Sequence, residues 1–180
     1  MDLMLLRSFQ RQVLLQCEFI LLAAADINES SKAMEEGEDV GTRIFYAIQN
    51  LLVAAANVSK ALWGQGGKLS AQRQPLRDSI GISDASPFRE VDMRNNFEHF
   101  DQRLDQWWNE SSHHNMADLN IGPPEMIKGL DDIELFRHFD PRTRDTVFWG
   151  ERFNLQELID EVSRIIPALR AEVAKPHWEP

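Results

Sequence analysis

Apolar residues recur at three- and four-residue steps through two long stretches of this chain, and no other feature constrains its fold as strongly. Leu6, Phe9, Val13, Cys17, Ile20 and Ala24 share one face of a helix that the spacing carries to about Glu36, where Gly37 offers a C-terminal stop. Ile44, Ile48, Leu51, Leu52, Ala55, Val58 and Leu62 mark a second helix, with Asp39 or Thr42 as its cap. It ends at Trp63-Gly64-Gln65-Gly66-Gly67, since glycines at this density do not sustain a helix. Each rod has an apolar stripe that needs helical neighbours, and Ala54-Ala55-Ala56 would let one approach closely.

The later segments supply those neighbours. A short helix is expected over Ser70 to Ser79, with Pro75 disturbing it. Ser86 and Pro87 fit the N-cap and first position of a helix whose stripe is Phe88, Val91, Met93, Phe97, Phe100, Leu104 and Trp107 or Trp108, running to about Ser111. Beyond it, Ile133 to Asp140 and Thr146 to Glu151 read as short strands joined through Pro141-Arg142-Thr143-Arg144, with a third strand over Ala117 to Ile121. Asn154 and Glu157 resemble a capping box. Leu155, Leu158, Ile159, Val162, Ile166 and Leu169 then line a last helix, with Pro167 as a kink or break. The expectation is a mainly α chain in one domain over residues 1–180: an up-and-down bundle of four to five helices, with a small β-hairpin insertion at about 116–152 before the last helix.

Hydrophobic residues at 43% and charged residues at 27% are the composition of a globular chain, and the formal net charge of -10 argues against extended non-specific DNA binding. Cys17 is the only cysteine, which excludes an intrachain disulfide and a CxxC metal framework and fits an inert core thiol. Arg7, Arg11 and Glu18 interrupt the apolar N-terminal stretch, so it is read as an amphipathic core helix, with no membrane association and a cytoplasmic setting expected. Six acids against Lys32 between Asp26 and Asp39 read as a solvated end of the first helix. From Lys60 to Asp78 the balance reverses. Lys68, Arg73 and Arg77 there form either a phosphate-contacting flank or an exposed connector. Arg137, Arg142, Arg144 and Arg152 give the hairpin an arginine-rich character, either to clamp RNA or a partner chain or as a solvated cover.

Candidate chemistry sits on the helix after Ser86. With Phe97 at zero and about 100° per residue, Met93, Phe100, Leu104 and Trp107 fall between about -80° and 0°. Arg94 then lies near about 60°, Glu98 near about 100°, Asn95 near about 160° and His99 near about 200°, all away from the core stripe. Arg94 and Glu98 can form an ion pair, and Asn95 can touch His99. That face is either solvated surface or a phosphodiester-cleaving site. In the second case an imidazole moves the proton of a ribose 2′-hydroxyl or leaving 5′-oxygen, and arginine holds the phosphate. One copy offers one such histidine, and a two-fold dimer would supply both acid and base.

Arg94-Asn95-Asn96-Phe97-Glu98-His99 resembles the Rx4–6H motif of the HEPN superfamily, with the polar residue after the arginine that its nuclease members usually have. Glu98 to Trp107, and Asn57-Val58-Ser59-Lys60-Ala61-Leu62-Trp63, are similar to uncharacterised bacterial proteins of that type. The resemblance covers roughly residues 1–111 and the last helix; the β insertion and the acidic charge depart from it. It implies a HEPN-like bundle that dimerises around the motif. It further implies a metal-independent endoribonuclease without cofactor, in a toxin–antitoxin or phage-defence setting, with RNA as substrate and an antitoxin as partner. Arg94 and His99 would be the catalytic pair, Asn95 their support, and Lys68, Arg73 and Arg77 substrate contacts. The alternative it implies is a non-catalytic dimerisation or protein/RNA interaction module.

Other constellations are weaker. His113-His114 and His138 lack the spacing of a metal site, and no Glu-x-x-His pair of the di-iron kind occurs, so no metal is expected. Gly64 to Ser70 lacks the spacing and preceding strand of a phosphate loop. Trp107, Trp108 and Trp149 read as core or interface aromatics more readily than as base-stacking platforms.

Overall fold

The computed structural model describes residues 1–176. Its elements are α1 (Leu3–Glu35), α2 (Gly41–Trp63), α3 (Ser70–Ser79), α4 (Asp92–Glu98), α5 (Phe100–Glu110), β1 (Asn120–Ile121), β2 (His138–Asp140), β3 (Asp145–Phe148), β4 (Glu151–Asn154) and α6 (Leu155–Ala174). The chain is therefore mainly helical with a small sheet, as the sequence pattern implied. The described residues gather into two compact units. The first comprises Met1–Ala25, Asn50–Val91 and the described residues from Glu157 on; the second comprises Asp26–Gln49 and Asp92–Gln156.

In the first unit, Val13, Cys17 and Ile20 of α1, Leu51, Leu52, Val58 and Leu62 of α2, and Leu158, Val162, Ile165 and Leu169 of α6 are buried. These are the faces the spacing assigned, except that Ile165 joins them and Leu6, Phe9 and Ile159 are only half-buried. Burial pushes the Cys17 thiol up to about 12, in keeping with an inert core position. Arg7, placed by sequence among the residues interrupting an apolar stretch, is buried instead. Its Nη1 donates to Glu172 Oε2 at 2.6 Å and to Gln10 Oε1 at 2.8 Å, and Gln10 Nε2 donates to Ser79 Oγ at 2.9 Å. Such a charge tolerates burial because a carboxylate and an amide both accept from its Nη1.

Gly64 and Gly67 adopt φ of 76° and 73°, and a Cβ on Gly64 would sit 2.7 Å from Leu69 Cβ. The tight loop after α2 thus requires glycine. α2 begins at Gly41, with Ile44 N donating to Val40 O at 3.1 Å, so it starts between the expected caps Asp39 and Thr42. α6 runs through Pro167 unbroken. Ser163, whose carbonyl loses its partner to the proline ring, is exposed, and water can take its place.

The second unit holds the sheet, in the order β1-β2-β3-β4. β1 runs parallel to β2 (Asn120 opposite His138), while β2–β3 and β3–β4 are antiparallel. The expected hairpin is thus the centre of a four-stranded sheet. Ile133 to Asp140 yields only β2, because Asp132–Glu134 makes a 3-10 turn. Thr146 to Glu151 is divided by Trp149 and Gly150, whose φ of 50° and 75° form the two-residue turn between β3 and β4.

The helix expected from Ser86 to Ser111 is three pieces. Ser86 caps only a 3-10 turn, Pro87–Arg89, and Glu90 is extended at φ -77°, ψ 120°. α4 follows, then α5, separated by His99 at φ -98°, ψ 39°. The first interruption falls where the chain passes from one compact unit to the other, at Val91–Asp92. Periodicity records that residues are apolar and is blind to which unit each one serves.

Candidate functional site

α4 packs against β3 and β4, and α5 follows it across the His99 junction. The attachment is aromatic. Phe97 of α4 lies 6.3 Å from Phe148 by ring centroids, Phe100 of α5 lies 5.3 Å from Phe136, and Phe136 lies 5.3 Å from Phe148. Trp107 and Trp149 join the same cluster through Phe136, at 6.1 and 5.8 Å. Both tryptophans are therefore packing residues, whereas Trp108 is 64% exposed. The arginine–histidine segment rests on a rigid apolar base.

A polar bridge reinforces it. Asn96, buried, donates from Nδ2 to Glu151 Oε2 of β4 at 3.2 Å and accepts at Oδ1 from Arg103 Nε of α5 at 2.9 Å. Arg103 in turn covers the Trp149 ring at 5.6 Å. One amide therefore ties the two helices to the sheet across the junction. Sequence reasoning missed it; on the same rotation scale Asn96 falls near about -100°, beside the core stripe, which was the available signal.

Arg94 and Asn95 are half-buried; Glu98 and His99 are exposed. Arg94 Nη2 lies 2.6 Å from Glu98 Oε2, the one-turn pair anticipated from spacing, and Arg94 Nη1 donates to Asn95 Oδ1 at 2.9 Å. Arg94 Nε is buried with no hydrogen-bond partner. Asn95 thus engages Arg94. His99 donates its backbone N–H to Asn95 O at 2.9 Å and accepts from Arg103 N at its carbonyl, so the helical ladder continues on both sides of the bend. Its imidazole makes no hydrogen bond among the described residues. An exposed, unoccupied imidazole can exchange protons with a ligand, and the neighbouring guanidinium can bind an anion once Glu98 yields it.

The flank expected to touch phosphate belongs to the first unit and divides three ways. Lys68 is exposed. Arg73 is half-buried, its guanidinium 3.8 Å above the Phe9 ring. Arg77 is buried, and its Nη1 donates to Leu62 O at 2.7 Å and Ser70 O at 2.9 Å, while Nη2 donates to Gln74. It closes the glycine loop and satisfies a carbonyl at the end of α2. That guanidinium is committed to the fold.

His138, buried in β2, pairs its Nε2 with Gly122 O at 2.8 Å. His113, Asp131 and Glu134 do offer ligand atoms within 4.8 Å of one another, a set that could hold a cation. Glu134 is already employed. Burial pushes its carboxyl up, but hydrogen bonds to Oε1 from Ser111 Oγ at 2.9 Å and Asn115 N at 3.1 Å leave it below the usual range.

No protein-family profile, curated protein or solved structure matches this chain.

Proposed function

We propose that the chain is a HEPN-type, metal-independent endoribonuclease acting as a homodimer, with Arg94 and His99 as its catalytic pair. The observation that carries the reading is the state of His99: exposed, at the junction of two helices fixed to the sheet, with its imidazole unengaged among the described residues. In the proposed reaction His99 removes the proton of the ribose 2′-hydroxyl. The 2′-oxygen forms a bond to phosphorus as the bond to the 5′-oxygen breaks, and the histidine of the second copy protonates that leaving oxygen. Arg94 neutralises the charge that grows on the phosphoryl oxygens, and Asn95 holds Arg94 in register through its 2.9 Å contact. Of the three expected substrate contacts, Lys68 is the one whose exposure suits a phosphate contact. A toxin–antitoxin or phage-defence role, with an antitoxin as partner, belongs to the same reading.

A second reading has its own observation. Arg94 is already taken up by Glu98 and Asn95, and the chain carries a net charge of -10. Both features suit a non-catalytic HEPN-like dimerisation or protein/RNA interaction module. RNA incubated with purified protein in chelator separates the two. Fragments ending in 2′,3′-cyclic phosphate are the expected result. Intact RNA, with dimerisation lost on substituting Arg94 or His99, would establish the module instead.

A further inference from the structure

A cavity of about 260 Å³ lies between the last turns of α1 and the turn joining β2 to β3, within the second unit. At about 30 Å³ per water it holds several waters, or a phosphate with part of its ester group. In a chain this acidic its lining is unusual. Lys32, Arg142 and Arg144 all border it, and Glu35 is the single acid among its lining residues. The basic side chains come from distant parts of the chain and converge only through the fold.

Two of the three cations, Lys32 and Arg144, have no ion-pair partner among the described residues. The third is fixed in place. Arg142 N and Nε donate to Asp140 Oδ1 at 2.9 and 3.2 Å, and Nη2 donates to Oδ2 at 3.1 Å. Asp140 is buried, and the Arg142 hydrogen bond holds its carboxyl below the usual carboxylate range. Arg144 occupies the left-handed region at φ 64°, held there by its N–H on Asp140 O at 2.8 Å and by Leu155 N on its carbonyl at 2.9 Å. Asn28 adds an amide. Guanidinium, ammonium and amide donors around one small space form the donor set that phosphate oxygens accept from.

We infer that this cavity is a phosphate-binding site formed by Lys32, Arg142, Arg144 and Asn28. The phosphate comes either from a free nucleotide or from an RNA backbone. The inference does not depend on cleavage at His99: a catalytically silent protein would still bind.

The test titrates the full-length protein at low salt with AMP and with a short single-stranded RNA carrying a 5′-hydroxyl, followed calorimetrically. Saturable binding of one or both is expected. Lys32→Ala and Arg144→Gly should each weaken it about tenfold, the scale of one lost charge-assisted hydrogen bond. Glu35→Gln should tighten it by removing the one repulsive lining charge. Arg144→Gly is the decisive variant, because glycine takes this backbone conformation without strain. Its melting temperature should hold or rise while binding falls. Tight AMP binding that RNA does not displace assigns the site to a nucleotide; RNA binding that AMP competes away assigns it to the backbone. Absence of saturation with either probe, or binding unchanged in both Lys32→Ala and Arg144→Gly, overturns the inference.

Discussion

Glu98 Oε2 lies 2.6 Å from Arg94 Nη2, one helical turn away on α4, so the carboxylate occupies the guanidinium that the proposed chemistry needs. In a cleavage cycle Glu98 must release Arg94 to the phosphate. Glu98→Gln should therefore raise RNA affinity and cleavage several-fold. The stability lost with a one-turn ion pair of this kind is only about 0.5 kcal/mol. Parallel cleavage assays and urea unfolding measure the two quantities; an unaltered rate with unaltered affinity would mean that Glu98 does not gate Arg94.

Adjacent asparagines should behave differently. Asn96 bridges Glu151 and Arg103 from a buried position, whereas Asn95 is half-buried and touches Arg94. Asn96→Ala should cost about 1–3 kcal/mol, since both partners lose a hydrogen bond in a sheltered setting. Asn95→Ala should stay within about 0.5 kcal/mol and act on cleavage alone. Equilibrium denaturation of the two variants checks the contrast.

The basic flank splits in the same way. Arg77→Ala removes donors from Leu62 O and Ser70 O inside the fold and should cost about 3 kcal/mol. Lys68→Ala, at an exposed position, should leave stability within about 0.5 kcal/mol and weaken RNA binding in a salt-dependent way. Thermal melts and binding at two salt concentrations distinguish a structural arginine from a ligand-facing lysine.

Stability should fall on acidification. Hydrogen bonds from Arg164 to Glu161 and from Lys175 to Glu172 hold these carboxyls below their ordinary 4.5, and the one from Arg142 holds Asp140 below its ordinary 3.8. A folded-state value below the unfolded one means the stabilisation is complete above the ordinary carboxylate range. It is lost as pH falls through the lowered folded values. The urea midpoint should therefore be flat at mildly acidic pH and decline below about pH 4, the ordinary carboxylate region. A midpoint unchanged down to pH 2 would contradict these pairings.

Where the fold was legible in the sequence, the periodic pattern was long. α1, α2 and α6 each span several turns of one apolar stripe, and their ends fell close to Gly37, the glycine loop and Asn154. Short elements fared worse because their boundaries depend on tertiary partners. The bend at His99 and the extended Glu90 leave no mark on the spacing of Phe88, Met93 and Phe97. β4 hid inside a segment read as strand end and helix cap, because the two-residue turn before it has Trp149 where asparagine, aspartate or glycine would announce a hairpin. Within the site, the Arg94–Glu98 pair was readable from its one-turn spacing. Asn96 left only its rotation beside the core stripe as a signal, and the buried Arg7 and Arg77 of the first unit left none, since polar residues are ordinarily assigned to the surface and burial depends on partners remote in sequence. The convergence of Lys32 with Arg144 is likewise a product of the fold alone.

The measurement closest to the central claim is the rate of RNA cleavage in chelator by wild type and by His99→Ala, with circular dichroism and melting temperature recorded on both. Because His99 is exposed and its imidazole makes no hydrogen bond among the described residues, the variant should fold and melt as wild type does. Its cleavage should fall at least about a hundredfold, the lower end of what a positioned acid–base group contributes. A variant that cuts as fast as wild type would remove His99 from the chemistry and contradict the account.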